Sequence, residues 1–593
     1  MKKLVIFCFL SVLLAFGARL FAQDTVRQIK ILKGQNYLNF PVAESNRLCR
    51  ARVIVEGKVM DQFTLKLATE KPDYWVFFDV TPFQGKTITV EMTNFNMRRG
   101  GPSNVLPANT NPAADPNQAT KGLQMVFADS KFLGQDSVYK EQGRPQIHFS
   151  ARRGWLNDPN GLVYQNGEYH LYFQHNPYGW NWGNMHWGHA VSKDLLHWNE
   201  LPDAIYPFND RDAAFSGTAV VDPKNTSGFR KNGIDPLIAV YTSTGRGECI
   251  KMSYDNGRTF TDYEGNPILK HSGRDPKVFW YEPGNHWVLV VWDNERKRQI
   301  SLNQEAIINQ NLIYTSPDLK TWTFQSGVPG FFECPDLFQL PVENQPGVSK
   351  WVMYDASGRY VLGDFDGKKF SVTQHLKQYD YGGGYFYASQ TYNNSPDKRR
   401  IQVGWGRGIT QPGMPFNQAM LFPTELKLRN TFDGLRLCPV PIKEISTLHQ
   451  NSQVFENKII KSNTGISVDV KNNQAVHVIA EFEKGDAIPF GLNILGAEIL
   501  FNDLVGQITV TADSVPIKTV YSKAETELFK IEAIADKNML EVFVNDGELY
   551  YSVPFNQKKN SKVEVLVKDR SETRKSLIKK FEVHELKSIW TTE

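Results

Sequence analysis

The sequence predicts an all-β protein: a five-bladed β-propeller, followed by a C-terminal β-sandwich and preceded by a smaller N-terminal sandwich-like domain. Three observations lead to this prediction. Short apolar strands separated by turn residues occur along the chain. In the middle of the chain a hairpin-like segment recurs at spacings of 61, 63 and 48 residues, and such periods are typical of propeller blades. A chain of 593 residues also exceeds what one hydrophobic core usually holds.

The first residues predict a signal peptide over residues 1–22. Lys2 and Lys3 form a basic start, residues 4–16 form an apolar run, and Ala22 precedes the expected cleavage point. The run is too short for a permanent membrane anchor, and no later stretch is apolar enough to span a bilayer. We therefore expect an exported protein, periplasmic or extracellular, that does not span a membrane.

Composition excludes some functions. The net charge is only +4 and no long Lys/Arg stripe occurs, which argues against a nucleic acid partner. The five cysteines are scattered without paired spacing, so the sequence predicts neither a zinc site nor a dense disulfide framework. The histidines also lack a consistent spacing for metal ligands, and we assign no metal.

Two stretches precede the central repeat. Residues 23–100 contain short strands at 51–55, 63–67, 75–78 and 86–90, which predict a small accessory β-sandwich. The composition then changes to Pro, Asn, Ala and Gly without periodicity, and we expect a linker over residues 101–139.

Residues 140–440 carry the repeat that predicts the propeller. An Asp stands four or five residues before an aromatic residue in four segments: Asp194 to Trp198, Asp255 to Phe260, Asp318 to Trp322 and Asp366 to Phe370. Five clusters of apolar strand residues begin near Leu162, Thr218, Val278, Leu337 and Tyr385, which predicts five blades. Residues 441–593 change to longer strands with an Asn545-Asp546-Gly547 hairpin turn, which predicts the second sandwich.

A second repeat places an acid just before a proline and an apolar strand. Its copies begin at Asp158, Asp275 and Glu333, at separations of 117 and 58 residues, or about two blades and one. A single acid–proline pair is simply a good strand-entry turn. Because equivalent positions of different blades surround one axis, three copies in register predict three carboxylates in one central pocket.

Converging carboxylates suit glycoside cleavage, in which one carboxyl protonates the leaving oxygen and another attacks or stabilises the anomeric carbon. Like charges in a confined site raise the pKa of one partner and thereby supply an acid. Arg274 stands beside Asp275 and can hold that carboxylate. Calcium binding is an alternative, but no compact run of alternating Asp/Asn ligands occurs. Spacing alone leaves the three roles open.

The motifs around these acids resemble those of glycoside hydrolase family 32, the invertase, inulinase and levanase family. The resemblance runs from about residue 140 to residue 593. Its motifs, in order, begin at Trp155 (WLNDPNG), Tyr172 (YFQHNP), Trp187 (WGHAVSKDL), Phe215 (FSG), Arg274 (RDP) and Glu333 (ECPD), and continue through Pro423. Residues 24–135 lie outside this common core and look like an accessory module.

The resemblance implies a five-bladed propeller followed by a sandwich. It implies that Asp158 is the nucleophile, Glu333 the general acid/base and Asp275 the transition-state stabiliser, with no metal or organic cofactor. The fructose pocket implied by the motifs contains Asn157, Gln174, Trp182, Phe215, Ser216 and Arg274, with Trp405 as an added apolar wall. The expected reaction is exo release of terminal β-D-fructofuranosyl units from levan or inulin, and sucrose is a further candidate substrate.

Two positions depart from the family pattern, and the first of them leaves the preferred linkage open. Tyr385 stands where members often have an acidic residue, and Thr424 where they often have Arg. The remaining alternatives are an endo-acting levanase or inulinase, a fructosyl transferase, an arabinan or xylan hydrolase, and a non-catalytic fructan-binding protein. The presence of all three acids favours an active enzyme over the last of these. The oligomeric state is not readable from the sequence.

Overall fold

A computed structural model describes residues 25–590, apart from residues 95–116, 210, 295–296, 302–303, 432–433, 463–464, 473, 484–487, 522–527, 559–561, 570 and 572. The expected signal peptide lies outside the described residues. Within them, strands predominate and the only α-helix is α1, Gln118–Met125, which confirms the all-β prediction. No helix in this part of the chain is long and apolar enough to cross a membrane.

The chain divides into two compact units, and the smaller comprises most of the first 131 residues. Its strands form a sheet of order β1-β6-β3-β4 and a sheet of order β5-β2-β7. In β3 every second residue is buried, as expected for a strand with one face against a core. The strands are β1 Thr25–Lys30, β2 Tyr37–Val42, β3 Cys49–Val55, β4 Lys58–Leu65, β5 Tyr74–Asp79, β6 Thr87–Asn94 and β7 Phe127–Asp129.

Part of the stretch expected to be a linker has regular structure in this unit. Residues 118–125 form α1, and β7 pairs antiparallel with β2. Leu123 of the helix is buried. The sequence pattern does not predict these elements, because the helix carries few apolar residues and the strand is only three residues long. Packing rather than periodicity decides their structure.

The larger unit begins with five sheets between Gly154 and Pro441. Their strands are β8 Gly154–Gln165, β9 Glu168–Asn176, β10 His186–Ser192, β11 Asn199–Ile205, β12 Ala214–Val221, β13 Leu237–Ser243, β14 Gly247–Ser253, β15 Thr261–Asp262, β16 Arg274–Tyr281, β17 His286–Asp293, β18 Lys297–Ser301, β19 Gln304–Ile307, β20 Gln310–Ser316, β21 Thr323–Pro329, β22 Asp336–Pro341, β23 Ser349–Tyr354, β24 Arg359–Phe365, β25 Phe370–Gln378, β26 Phe386–Thr391, β27 Ile401–Gly406, β28 Phe416–Asn417, β29 Thr424–Thr431 and β30 Gly434–Pro441.

In each of these sheets four strands pair antiparallel in the order in which they follow along the chain. The orders are β11-β10-β9-β8-β28, β12-β13-β14-β15, β16-β17-β20-β21, β22-β23-β24-β25 and β26-β27-β29-β30, and β18 pairs with β19 outside them. Strand β28 joins β8 in parallel at the edge of the first sheet, so the last part of this region closes onto its beginning. Of the first strands β8, β12, β16, β22 and β26, three are associated with the predicted acids: Asp158 lies in β8, Asp275 lies in β16 and Glu333 lies just before β22.

The Ser–Asp repeat seen in the sequence forms the same turn in three sheets. The hydroxyls of Ser192, Ser253 and Ser316 donate to the carboxylates of Asp194, Asp255 and Asp318, at 2.9, 2.7 and 3.1 Å. Each turn joins the third and fourth strands of its sheet. Side-chain hydrogen bonds of this kind fix a tight turn, so the sequence repeat is a structural repeat.

A buried ion pair ties three of the first strands together. The Nζ of Lys277 on β16 lies 3.1 Å from Oδ1 of Asp336 on β22. The backbone N–H of Thr391 on β26 donates to Oδ2 of Asp336 at 2.9 Å, and its carbonyl accepts from Lys277 at 3.1 Å. Both charged side chains are almost fully buried. The buried charge of each is therefore compensated by the other charge and by the hydrogen bonds of Thr391.

Residues 449–586 form two six-stranded sheets, of order β31-β42-β33-β38-β39-β40 and β32-β41-β34-β35-β36-β37. Apolar residues from both sheets share one core. The strands are β31 His449–Ile460, β32 Ser467–Asp469, β33 Val476–Glu483, β34 Phe490–Ile494, β35 Ala497–Asn502, β36 Gln507–Ala512, β37 Val515–Val520, β38 Leu528–Ala535, β39 Met539–Val544, β40 Leu549–Pro554, β41 Lys562–Val567 and β42 Ser576–Leu586.

His148 joins this C-terminal part to the five sheets. Its Nδ1 lies 2.9 Å from Asp536 and its Nε2 lies 2.8 Å from Glu541, and all three side chains are fully buried. Burial alone would lower the pKa of His148, but the hydrogen bonds and charges of the two carboxylates raise it to about 9. His148 is therefore an imidazolium at neutral pH, with both ring N–H groups donating.

Replacing this cation leaves two buried carboxylates without their partner. We expect His148→Gln to lower the free energy of unfolding by about 3–5 kcal/mol near pH 6. The stabilisation from a raised His pKa is complete below the unfolded value of 6.5 and is lost as the pH rises towards about 9. Urea unfolding at pH 6 and pH 9 should therefore show a smaller difference between variant and wild type at pH 9. An equal difference at both pH values would contradict this assignment.

Candidate functional site

Most of the predicted site residues lie in or just before the first half of the first strand of a sheet, where the pairing with the second strand is irregular; the exceptions are Gln174 in β9, Trp182 before β10 and Trp405 in β27. The register shifts between Leu156 and Pro159 in β8, between Ala214 and Gly217 in β12, between Arg274 and Lys277 in β16, and between Tyr387 and Gln390 in β26. A β-bulge re-aims side chains that a regular strand would point to alternate faces. Consecutive residues of these strands can therefore face one site.

The backbone at two of the acids is in the left-handed region. The φ angles are 67° at Asp275, 52° at Glu333 and 42° at Cys334. Non-glycine residues adopt this region at a cost of about 1 kcal/mol or more each, and such residues cluster at functional sites. The backbone also approaches closely beside Arg274: a Cβ on Gly273 would stand 1.7 Å from the carbonyl oxygen of Trp292. Only glycine fits there.

Asp158 on β8 is held by three donors. The Nδ2 of Asn157 lies 3.0 Å from Oδ1, and the hydroxyl of Ser216 on β12 donates to Oδ2 at 2.6 Å. The Sγ of Cys334 lies 3.5 Å from Oδ2. Removal of water by the surrounding protein raises the pKa of Asp158, while the donors from Ser216 and Asn157 act in the opposite direction. The donors fix the carboxylate in one orientation.

Asp275 on β16 is 5% exposed and has charged neighbours. The backbone N–H of Cys334 donates to its Oδ2 at 3.3 Å, the thiol of Cys334 lies 3.6 Å from the same atom, and Nε of Arg274 lies 3.7 Å away. Burial raises the pKa of Asp275 to about 8; the Arg274 guanidinium lowers it, and the charges of Glu333 and Asp158 raise it further. Cys334 therefore bridges two of the three acids.

Glu333 immediately precedes the Cys-Pro entry to β22 and is held by a cation and a phenol. The Nη2 of Arg274 donates to its Oε1, and the hydroxyl of Tyr387 donates to Oε2 at 2.8 Å. Burial, together with the charge of Glu333, raises the pKa of Tyr387 above its usual range, so the phenol remains a donor. The guanidinium of Arg407 lies 4.3 Å from the centre of the Tyr387 ring, and this cation–π contact helps to fix the ring in place.

A second layer supports the backbone of Asp275. The hydroxyl of Thr242 on β13 accepts from the backbone N–H of Asp275 at 2.9 Å and donates to the carboxylate of Glu248 at 3.0 Å. The Nε2 of His271 lies 2.9 Å from the same carboxylate. Glu248 is fully buried. This network holds the strained segment from which the Asp275 side chain projects.

The structure brings several predicted binding residues to the acids and places others in the surrounding wall. Asn157, Ser216 and Arg274 contact the acids directly. The rings of Trp182 and Phe215 meet edge to face at 6.1 Å. Trp405 is 8% exposed and packs against Trp155 at 5.9 Å and Tyr387 at 6.0 Å. The walls near Asp158 and Glu333 are thus aromatic.

Gln174 is connected to Asp158 through a chain of amides and a hydroxyl. It is 2% exposed, and its Nε2 donates to the carbonyl of Ala214 at 2.8 Å. With the amide of Asn160 oriented to satisfy its partners, the Asn160 oxygen accepts from Gln174 at 2.8 Å and its nitrogen lies 3.1 Å from the Ser216 hydroxyl. Gln174 therefore orients Ser216 rather than an acid.

Among the contributors that the sequence did not reveal are Tyr387, Thr242, Glu248 and Cys334. Tyr387 stands only two residues after Tyr385, which departs from the family pattern. Cys334 stands inside the Glu-Cys-Pro-Asp motif, but its spacing showed no thiol role. Thr242 and Glu248 belong to the second and third strands of a sheet, where nothing in the sequence distinguishes them from ordinary strand residues.

The four cysteines among the described residues are buried, and Cys249, Cys334 and Cys438 form no disulfide. Burial, followed by the charges of Asp275 and Asp158, raises the pKa of Cys334 well above its usual value. The Cys334 thiol is therefore a neutral donor between the two carboxylates, not a nucleophile.

Comparisons with known proteins agree with these motifs. Residues 148–439 match the N-terminal domain of glycosyl hydrolases family 32, and residues 444–585 match the C-terminal domain of the same family. Residues 23–115 match a domain of unknown function (DUF4980). The chain is 35% identical over 534 residues to a levanase of Bacillus subtilis, covering 79% of this chain and 74% of that protein.

Further relatives share the same region. An extracellular exo-inulinase of Meyerozyma guilliermondii is 34% identical, with 69% of this chain and 88% of that protein covered. The crystal structure of an exo-inulinase from Aspergillus awamori superposes with a TM-score of 0.66 at 26% identity, covering 76% of this chain and all of the other. A β-fructofuranosidase from Schwanniomyces occidentalis complexed with fructosyl-erythritol gives a TM-score of 0.65 at 26% identity, covering 75% and 98%.

The raised pKa of Asp275 makes a prediction about stability. A carboxyl with a folded pKa of about 8 holds a proton that the unfolded chain releases near pH 3.8, so its contribution to stability falls as the pH rises between these values. The neutral variant Asp275→Asn lacks this loss. We expect its free energy of unfolding relative to wild type, measured by urea unfolding, to increase from pH 5 to pH 8, with a limiting slope of about 1.4 kcal/mol per pH unit. Asp364→Asn, at an exposed carboxylate, is the matched control and should show no such trend.

Proposed function

Because this chain belongs to glycosyl hydrolase family 32, we propose that it is a β-fructofuranosidase that releases terminal β-D-fructofuranosyl units from levan or inulin, with sucrose as a further substrate. The observation that carries this proposal is the grouping of Asp158, Asp275 and Glu333 around shared donors. Asp158 is fixed by Asn157 and Ser216, and Glu333 by Arg274 and Tyr387.

In the proposed mechanism Asp158 is the nucleophile and Glu333 the general acid/base. Glu333 donates a proton to the glycosidic oxygen while Oδ of Asp158 attacks the anomeric C2, so the C2–oxygen bond breaks and a fructosyl ester forms with inversion. Glu333, now ionised, takes a proton from water, which attacks C2 and releases fructose and the Asp158 carboxylate with net retention.

The surrounding groups prepare these two steps. The donors from Asn157 and Ser216 hold one carboxylate oxygen of Asp158 each, so the attacking atom is oriented before substrate arrives. Asp275 is proposed to bind hydroxyls of the fructosyl unit and to stabilise the positive charge that develops on it. Arg274 contacts both Asp275 and Glu333, and its positive charge offsets the negative charges of the two carboxylates.

The finer architecture is proposed on the same basis. The five sheets of residues 154–441 are inferred to be the blades of a five-bladed propeller within a catalytic domain of residues 140–440, with a sandwich domain of residues 441–593. The accessory domain of residues 23–100 and a linker within 101–139 remain predictions. Export through a signal peptide of residues 1–22 is supported by relatives described as extracellular.

Exo attack is favoured over the endo alternative because two of the relatives are named exo-inulinases. The proposed pocket for one fructosyl unit is formed by Asn157, Gln174, Trp182, Phe215, Ser216 and Arg274, with Trp405 behind Tyr387. The relative named a levanase supports β-2,6 links as a substrate, and the exo-inulinases support β-2,1 links.

The products formed over time test this proposal. Wild-type enzyme incubated with levan, inulin or sucrose should release fructose as the first product from the fructans. Comparison of the rates of fructose release from levan and inulin identifies the preferred linkage. Asp158→Ala and Glu333→Ala should each lower kcat by at least about a thousandfold, whereas Asp364→Ala, an exposed acid, should not change it. Early mixed oligosaccharides would identify endo cleavage, and no release from any substrate would refute the hydrolase.

Tyr387 is expected to position Glu333 without touching the reacting bond. Tyr387→Phe removes a donor of 2.8 Å from a carboxylate, and a hydrogen bond to a charged group contributes about 1.5–3 kcal/mol. We therefore expect kcat to fall about 10- to 150-fold with little change in KM. Tyr385→Phe, whose hydroxyl has no described bond to an acid, is the control. A pure change in KM would contradict this role.

A further inference from the structure

Two exposed aromatic residues stand between the first and second sheets. Tyr206 is 38% exposed and Phe208 is 55% exposed, and they are separated only by Pro207. This segment leaves β11 at Ile205 and leads to Ala214, the first residue of β12. Proline restricts the backbone between the two rings, so the aromatic pair is presented by a stiff segment.

Arg246 covers one face of the Phe208 ring and is itself fixed. Its guanidinium lies 4.1 Å from the ring centre. Its Nη2 donates to the hydroxyl of Tyr241 at 2.7 Å, its Nε donates to the hydroxyl of Ser243 at 3.0 Å, and it lies 3.6 Å from the carboxylate of Asp262. We call Tyr206, Phe208 and Arg246 the rim platform. Because the hydrogen-bonded guanidinium of Arg246 packs on one face of its ring, Phe208 presents a preorganised apolar surface to solvent.

Asp212 attaches the rim platform to the same end of the second sheet that carries the site. Its carboxylate accepts from the backbone N–H of Phe208 at 2.9 Å, from the N–H of Gly245 at 2.8 Å and from the hydroxyl of Ser243 at 2.9 Å. Ser243 is the ladder partner of Ala214. Ser216, which binds Asp158, follows two residues later, so platform and acids share one rim.

A short segment connects the platform with the aromatic wall of the site. Trp182 packs edge to face on Phe215 at 6.1 Å, and four residues later the ring of His186 packs edge to face on Tyr206 at 5.1 Å. Packed rings therefore join the wall at Phe215 to Tyr206 through residues 182–186, and His186 in this connection is fully buried. The apolar surface that this connection supports is the exposed pair Tyr206 and Phe208.

We propose that the rim platform is an outer binding site for a polymeric fructan chain whose terminal unit occupies the pocket at Asp158. This inference rests on the proposed function. Fructans are neutral, so they need no ion pair; their C–H faces pack on aromatic rings, and their hydroxyls bond to polar groups at the edge. A stiff, half-exposed aromatic pair offers this contact with little loss of side-chain entropy. Sucrose has only two sugar units, and we expect it to occupy the pocket without reaching the platform.

The test compares long and short substrates in Phe208→Ala. The KM for high-molecular-weight levan or inulin is expected to rise about three- to tenfold, as for the loss of one aromatic contact, whereas kcat and KM for sucrose stay at wild-type values. Phe324→Ala, at a 39% exposed aromatic on the outer strand β21, is the matched control. Because Phe208 is exposed, the variant should fold, and an unchanged melting temperature verifies this.

Two results overturn the inference. Wild-type KM for the polymers in Phe208→Ala would show that the platform does not bind the chain. An equal loss on polymer and sucrose would show that Phe208 acts on the pocket itself. Both outcomes require an active wild-type enzyme, so they are distinct from failure of the proposed function, in which wild-type protein releases fructose from none of these substrates.

Discussion

The structure of the site depends on holding three carboxylates together against their mutual repulsion. Asp158 and Asp275 both have raised pKa values because burial removes water from them, and the charge of Glu333 adds to this effect. Arg274 reaches two of the acids, and the neutral Cys334 thiol lies between Asp158 and Asp275. Neighbouring negative charges of this kind are unfavourable for folding, but the proposed reaction needs an acid and a nucleophile in one place.

The rest of the fold supplies the rigidity that this arrangement needs. Asp275, Glu333 and Cys334 have strained backbone conformations, which persist only where neighbouring structure fixes them. Thr242 and Glu248 bind the backbone of Asp275 from the adjacent strand. Below the site, the Lys277–Asp336 pair joins the first strands of three sheets. The buried polar groups therefore specify the geometry of the site more than they stabilise the fold.

Much of the fold and the acids could be predicted because the same local chemistry recurs. The Ser–Asp turn appears in three sheets with one hydrogen-bonding pattern, and acid–proline pairs mark the start of three first strands. By contrast, α1 and β7 lie in a stretch without periodicity. Tyr387 and Thr242 were not predicted because their partners are 54 and 33 residues away, and no local pattern encodes such a contact.

The sequence by itself determined the all-β class, the repeat and the three acids, because turns, strand alternation and acid–proline entries are properties of a few neighbouring residues. The tertiary structure alone decided which side chains meet the acids. Bulges at the starts of the first strands turn Ser216, Arg274 and Tyr387 towards one site, and the pKa of Asp275 follows from burial and charges contributed by several sheets. Electrostatic and packing effects act through space, so they exist only once distant segments have come together.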